Sequence, residues 1–282
     1  MTVREPAVSG LFYPKIKEDL DKKIRGYLDA ATQSLPGIEI KGLVSPHAGY
    51  EYSGQVAAFG FKEISTQDID SIVLLGPSHH VSFRIASVFD GAGFKTPLGI
   101  IPVNQKLVRK LIAIDPLFQF VPEAHREEHS LEVQVPFIQH VFKNREVSIV
   151  PIVIGSHRFE DLNFLAQAIL TSCQKEKTLI IASSDLSHFH SYDVAREMDL
   201  RAVDLIAKND IGRIQEESAV GRIEMCGFAP ILTMGVVLKQ WGSETGKVVC
   251  YANSGDITGD KSRVVGYGSV VFSRPSGGTN VP

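Results

Sequence analysis

The sequence contains few cysteines and no excess of either charge. Its three cysteines, Cys173, Cys226 and Cys250, are irregularly spaced, which argues against a disulfide framework and favours a reducing cytosol. Because no CxxC pair occurs, nothing indicates a structural zinc cluster or an iron–sulfur site. The net charge of −3 over 282 residues argues against nucleic acid or an anionic membrane as a partner.

Long apolar runs are missing as well. Residues 1–6 lack the apolar region of a signal peptide, and no apolar run is long enough to span a bilayer. Hydrophobic residues make up 44% of the chain and charged residues 22%, which is typical of soluble globular proteins. We therefore predict a soluble cytoplasmic protein.

Apolar strands alternate with amphipathic helices along most of the chain. Helices are predicted at 15–33, 53–64, 129–143 (bent at Pro136), 159–175, 193–208, 209–218 and 228–241. Strands are predicted at 38–45, 70–76, 146–154, 178–183, 247–253 and 264–273, with a hairpin within 85–103. Buried strands alternating with helices indicate a mostly parallel, mixed sheet covered by helices. We predict one α/β domain over 1–274 and a flexible C-terminal tail over 275–282.

Two histidines follow predicted strands, each directly after a proline or one residue beyond it. His47 ends the run IKGLVSPH, and His79 ends the run SIVLLGPSH. A proline cannot donate to a sheet ladder, so both strands are expected to end there. If the two strands are adjacent in one parallel sheet, both imidazoles lie in the crevice above its carboxyl edge, where α/β proteins bind ligands. This pattern predicts a metal site, and two unrelated loop histidines are the alternative.

A third predicted strand is followed by the polar segment SSDLSHFH, residues 183–190. Asp185 and His188 can each serve as a ligand or as a general base. The alternative is that Asp185 or Ser184 caps the next helix, which would leave His188 without a role. We favour a functional role for this segment.

Residues 125–129 match the H-x-x-E-H pattern of inverted zinc metalloproteases, in which both histidines lie on one helix face. That role requires a helical His125. Pro122 precedes it closely, and the apolar periodicity begins only at Leu131, so the helix is expected to begin near Glu128. We keep a zinc hydrolase as a third hypothesis, and we expect His129 to enter the crevice from a helix N-terminus.

Cys226 precedes a glycine at the predicted start of a helix. The helix dipole lowers the pKa of a thiol in such a position, which favours a thiolate ligand or a nucleophile. An inert core cysteine is the alternative, and it is our interpretation of Cys173 and Cys250.

Seven motifs, in order along nearly the whole chain, resemble those of the Memo-like family. They are REPAVSGLFYP (4–14), PHAGY (46–50), LGPSHH (75–80), EHSLE (128–132), SDLSH (184–188), MCG (225–227) and SGDITGD (254–260). The resemblance implies a fold similar to class III extradiol dioxygenases. It also implies AMMECR-type and radical-SAM partner proteins, which accompany this family in prokaryotes.

Class III extradiol dioxygenases hold non-haem Fe(II) with two histidines and a carboxylate. The resemblance implies that His47 and His79 are the two histidine ligands. It places Cys226 where the dioxygenases have their glutamate. A thiolate in place of a carboxylate favours Cu(I), Zn or a thiolate-ligated iron, so catechol cleavage does not follow from the fold alone.

The resemblance also implies roles for three residues around the metal. His188 stands at the position of an acid/base histidine, His129 at that of a second substrate-facing histidine, and Asp185 lies beside the same cavity. Our hypothesis is a non-haem iron redox enzyme, oxygenase-like, that acts on a small organic substrate with Fe(II) as cofactor. The rival is a non-catalytic protein that binds copper or a peptide in a vestigial site.

Overall fold

The computed structural model describes residues 2–274, so the tail predicted over 275–282 lies outside the described residues. The strands are β1 (Val3–Arg4), β2 (Ile40–Ser45), β3 (Ser71–Pro77), β4 (Ala86–Val88), β5 (Gly93–Thr96), β6 (Gly99–Pro102), β7 (Ser148–Ile154), β8 (Thr178–Ser183), β9 (Asp185–His190), β10 (Thr245–Asn253) and β11 (Val264–Ser273). The helices are α1 (Lys17–Ala30), α2 (Tyr50–Ile64), α3 (Gln105–Ile112), α4 (Pro122–Arg126), α5 (His129–Glu132), α6 (Val135–Val141), α7 (Phe159–Ser172), α8 (Tyr192–Ala207), α9 (Ile211–Ala219), α10 (Phe228–Trp241) and α11 (Ser254–Thr258).

An eight-stranded sheet forms the centre of the fold. Its strand order is β10-β11-β2-β8-β3-β7-β4, and β9 pairs with β11 off this path. The central strands β2, β8, β3 and β7 are parallel, whereas β4, β9, β10 and β11 are antiparallel additions. This architecture confirms the predicted α/β class with a mixed sheet.

Strand β8 lies between the two strands that precede His47 and His79. Leu43 of β2 pairs with Ile181 of β8, whose neighbour Ile180 pairs with Val73 of β3. The expectation that β2 and β3 are adjacent is therefore wrong. Because β8 lies between them, its own carboxyl end, with Ser183, lies between the two histidine-bearing strand ends.

The central strands are largely apolar because helices cover the sheet. Every residue of β2, β3 and β8 is buried. Helix α10 packs on β2, β3 and β8 and also contacts α7, and its sequence FAPILTMGVVLKQW carries a single charge. A helix that is apolar nearly all round needs such burial on both sides.

Two predicted elements differ in the structure. The helix expected over 129–143 is divided into α5 and α6, because Pro136 occupies the first turn of α6, where its missing N–H costs no hydrogen bond. The polar segment after β8, for which no strand was predicted, forms β9 (Asp185–His190), antiparallel to β11.

The hairpin predicted within 85–103 is present as β5 and β6, which form a small sheet with β1. Strand β4, from the same segment, instead joins the main sheet beside β7. Among the described residues, no helix has both the length and the apolar character needed to cross a membrane.

Candidate metal centre

Two strand ends and one helix start meet at the carboxyl edge of the central strands. His47 follows β2, His79 follows β3, and Cys226 lies just before α10. One ligand atom from each of these three residues lies within 4.8 Å of the other two. His47 is buried, Cys226 is half-buried and His79 is exposed, so the cluster opens to solvent on the His79 side.

Hydrogen bonds fix which nitrogen of His47 carries the proton. Its Nδ1 lies 2.9 Å from the Ser183 hydroxyl, which donates its own proton to the Ser130 carbonyl at 2.7 Å. The Gln134 amide donates to the same hydroxyl oxygen at 2.9 Å. The His47 Nδ1–H must therefore donate to Ser183, and the lone pair lies on Nε2, which faces Cys226.

Glu128 orients His79 in a comparable way. Its Oε1 accepts from the His79 Nδ1–H at 2.8 Å and from the Ser130 N–H at 2.9 Å, and its Oε2 accepts from the His79 backbone N–H at 2.7 Å. Burial raises the pKa of Glu128, but the hydrogen bonds from His79 outweigh burial and lower it overall. Carboxylates commonly hold metal-binding histidines in this way, with the other ring nitrogen left for the metal.

The thiol of Cys226 completes the cluster. Its Sγ lies 3.2 Å from the His47 Nε2 and accepts a hydrogen bond from the Asp185 N–H, also at 3.2 Å. Burial, followed by the nearby Asp185 carboxyl, raises the pKa of this thiol. The lowering expected from the helix start is therefore wrong for the metal-free chain. A metal ion would replace the thiol proton.

Asp185 holds the loop that carries His47. Its Oδ1 accepts from the backbone N–H groups of His47 at 2.8 Å and of Ala48 at 3.3 Å. Burial raises the pKa of this carboxyl to about 7 in spite of these bonds. It does not cap the next helix, because Ser191 occupies the N-cap position of α8.

His129 enters the same crevice at the start of α5. Its ring stacks on His79 with centroids 4.7 Å apart and meets the edge of His47 at 5.3 Å. Phe12, from the N-terminal segment, packs on it at 4.9 Å. Burial lowers the pKa of His129 to about 4, so the ring is neutral at pH 7.

His188 lies on β9, outside the group of three ligand atoms. Its ring packs against Phe189 at 5.8 Å and is partly exposed. Burial lowers its pKa, and a protonated His79 would act in the same direction. Glu224 accepts from the His188 backbone N–H at 3.5 Å and contacts the His190 Nε2 at 2.9 Å. His188 therefore borders the crevice without joining the cluster.

The structure does not bring His125 to the cluster. This side chain is buried against Phe89 and Phe120, and its Nε2 lies 3.1 Å from the Ser87 carbonyl. Helices α4 and α5 are separate, so His125 and His129 do not share the face of one helix. The geometry that a zinc hydrolase of the H-x-x-E-H type needs is absent from this segment.

The sequence did not identify the residues that orient the ligands. Ser183 and Gln134 determine the tautomer of His47, and Glu128 binds both the ring and the backbone of His79. His79, Glu128 and His129 also have ligand atoms within 4.8 Å of one another, but the Glu128 oxygens already accept three N–H groups. One indication of the role of Glu128 was present in the sequence, namely its position next to His129.

Comparisons with known proteins agree with this fold. A family model described as "Memo-like protein" matches residues 4–271. A "MEMO1 family protein" of Methanobrevibacter smithii is 37% identical over 282 residues, covering 96% of this chain and 99% of that protein. One from Aquifex aeolicus is 36% identical over 96% of this chain and 100% of its own length.

A solved structure supports the fold alone. The crystal structure of the uncharacterized protein JW3007 from Escherichia coli K12 matches with a TM-score of 0.55 at 11% identity. The match covers 83% of this chain and all of that one. It is consistent with the dioxygenase-like fold that the sequence predicts.

Proposed function

This chain belongs to the Memo-like protein family, and from that membership and the geometry of the cluster we propose that it is a metal-dependent redox enzyme. Iron would be held by His47, His79 and Cys226, and a small organic substrate would bind in the crevice at the carboxyl edge of the sheet. The observation that supports the proposal best is the 4.8 Å limit on the separations of the three ligand atoms. Both histidines also have Nδ1 engaged elsewhere, which leaves Nε2 available.

The chemistry of these three residues fits a transition metal. Two neutral imidazoles and one thiolate suit iron, zinc or Cu(I). Iron is favoured because the fold is consistent with that of the iron-dependent dioxygenases. Such an ion, when bound, supplies electrons and a binding position for O₂ and substrate.

The chain's own residues would handle the substrate and its protons. We propose that His188 accepts a proton from the substrate, since it borders the crevice and its lowered pKa keeps the ring neutral at pH 7. His129, also neutral, would line the crevice beside His79 and form a hydrogen bond with the substrate. Asp185 would keep the His47 loop in place through its two backbone hydrogen bonds.

Anaerobic purification followed by elemental analysis tests the metal, and O₂ uptake with candidate catechols tests the chemistry. We expect bound iron and substrate-dependent O₂ consumption. The Cys226→Ala variant should lose the iron, whereas Cys250→Ala, a matched substitution on β10, should keep it. Tight Cu(I) binding without O₂ uptake would instead favour the copper-binding alternative.

A pair of variants on β9 tests the proton acceptor. His188→Ala should abolish turnover and leave the metal content unchanged. His190→Ala removes a histidine from the same strand, where the ring faces Glu224, and should retain turnover. Unchanged turnover in the His188 variant would remove this residue from the mechanism.

Two further expectations concern the location, which rests on the composition, and the partner proteins, which rest on the family resemblance. We propose a cytoplasmic location and association with AMMECR-type and radical-SAM proteins. Co-expression with one protein of each type, followed by purification through a tag on this chain, tests the association. Recovery of neither protein would contradict it.

A further inference from the structure

A cleft of about 350 Å³ lies beside the group formed by His47, His79 and Cys226. The residues that shape it are Tyr52, Phe189, Ser254, Arg263, Val265 and Tyr267. It adjoins the cluster through the β9–β11 ladder, where Tyr267 pairs with Asp185 and Val265 pairs with His188. A molecule bound to the proposed metal could therefore extend into this cleft.

Phe189 has an unusual backbone conformation at the edge of the cleft. Its φ is +64°, in the left-handed region that bulky residues rarely adopt, and its side chain is 60% exposed. Core packing does not account for an exposed aromatic ring in this conformation. Strained residues of this kind are concentrated at ligand-binding sites.

Arg263 lies over the Phe189 ring. Its guanidinium carbon is 5.1 Å from the ring centroid, a cation–π arrangement that holds the planar group by one face. Arg263 is exposed, and within residues 2–274 no ion pair or side-chain hydrogen bond involves it, so the contact with the Phe189 ring is what positions its guanidinium. Asp260, also in the cleft, uses its Oδ1 to accept from the Ser262 N–H and hydroxyl.

We propose that Arg263, held by Phe189, binds an anionic substituent of the substrate, either a carboxylate or a phosphate. A guanidinium with its edge nitrogens available binds both groups through two parallel hydrogen bonds. The inference rests on the proposed function for the position of the substrate. It adds a substrate class, because the crevice would select small organic anions over neutral molecules of the same shape.

Binding of three probes to the metal-free chain tests the inference. Phenylacetate, phenyl phosphate and neutral phenylacetamide share one ring and differ in charge. We expect the anion that matches the substrate to bind about tenfold more tightly than phenylacetamide, measured by calorimetry or by amide shifts in NMR spectra. Tighter binding of phenyl phosphate identifies a phosphate, and tighter binding of phenylacetate identifies a carboxylate.

Two charge-removing variants provide the matched comparison. Arg263→Gln should abolish the preference for the anion and leave phenylacetamide binding unchanged. Lys261→Gln removes the same charge two residues away, where the lysine lies over Tyr192 at 4.4 Å, and should preserve the preference. Thermal unfolding of both variants checks the fold.

Equal binding of all three probes, or an equal loss in both variants, would overturn the inference. Because the probes are measured without metal, the result does not depend on whether the chain binds iron. Iron binding without anion selectivity would refute this inference alone. Anion selectivity in a chain that binds no metal would refute the proposed function and leave the anion subsite in place.

Discussion

The two edges of the central sheet differ in cavity volume and in the groups available to bind a ligand. The amino edge carries a cavity of about 720 Å³, lined by residues from 33–41, 66–69 and 176–177. Its buried lysine is already fully used, since the Lys41 Nζ donates to the carbonyls of Lys175 and Glu176 and pairs with Glu39 at 2.9 Å. The volume is large, but this cation has no capacity left for a ligand.

The cleft at the carboxyl edge is smaller, about 350 Å³, but more hydrogen-bonding and metal-binding groups are available there. There, Ser183 and Glu128 occupy one nitrogen of each ligand histidine, so the lone pairs of His47 and His79 remain available beside the Cys226 sulfur. The comparison teaches that a large cavity and a set of converging, unused lone pairs can lie at opposite edges of one sheet, and our proposal follows the lone pairs.

Removal of a ligand should produce the largest effect at the carboxyl edge. We expect His47→Ala to lower the affinity for iron or a surrogate Co(II) by roughly 100-fold or more, because even residues behind the ligands contribute up to that much. Competition with a chelator measures it. If this variant binds the metal with wild-type affinity, His47 is not a ligand, and the proposed metal site at the carboxyl edge is wrong.

The orienting groups should give the next largest effect. Ser183→Ala leaves the His47 Nδ1–H without its acceptor, and Glu128→Gln weakens the support of His79. We expect each variant to lose roughly 10- to 100-fold in metal affinity. Ser148→Ala, which removes a hydroxyl at the amino edge, is the control and should bind metal normally.

Acid should destabilise the protein through His125, which is buried against Ser87 of β4 and is not part of the His47, His79 and Cys226 cluster. Burial lowers its pKa to about 3, against 6.5 in the unfolded chain, so between these values the unfolded chain binds more protons. Its contribution to stability is complete above pH 6.5 and decreases, by up to about 1.4 kcal/mol per pH unit, as the pH falls toward 3.

The His125→Phe variant isolates this effect, because other buried histidines contribute to the same trend. The new ring can pack with Phe89 and Phe120, and it cannot titrate. Urea unfolding at pH 7 and pH 5 should show a smaller loss of stability in the variant than in the wild type. An equal loss in both proteins would contradict the assignment to His125.

Lys41→Met should have the smallest effect on metal binding, and this would sharpen the contrast between the edges. It leaves two carbonyls without their donor and leaves Glu39 with Arg274 as its remaining cation, so the free energy of unfolding should fall by about 1–3 kcal/mol. Metal affinity should not change. A parallel loss of metal binding would show that the two edges are coupled.

Much of the fold was predictable because local patterns determine it. Helix α10 and strand β11 have the predicted bounds, since each is a nearly unbroken apolar run. Gly242 ends α10 in the left-handed conformation that a glycine adopts readily. Strand β9 was missed because its sequence, DLSHFH, has little apolar alternation, and pairing with β11 stabilises it.

The ligand residues could be proposed from the sequence, but their arrangement could not. A proline ends a strand locally, and this placed His47 and His79 at strand ends. The insertion of β8 between those strands depends on long-range pairing, which no local pattern records. The two histidines of H-x-x-E-H show the same limit, because only packing separates buried His125 from crevice-lining His129.

The sequence by itself determined the α/β class, most element bounds and the residue types that could bind a metal. Periodicity, strand-ending prolines and family motifs can each be read from a short stretch of sequence. Tertiary structure alone decided which histidines meet Cys226, which tautomer His47 adopts and where Arg263 lies. Each of these depends on hydrogen bonds or ring contacts between residues that are distant in sequence, and the folded chain fixes their geometry.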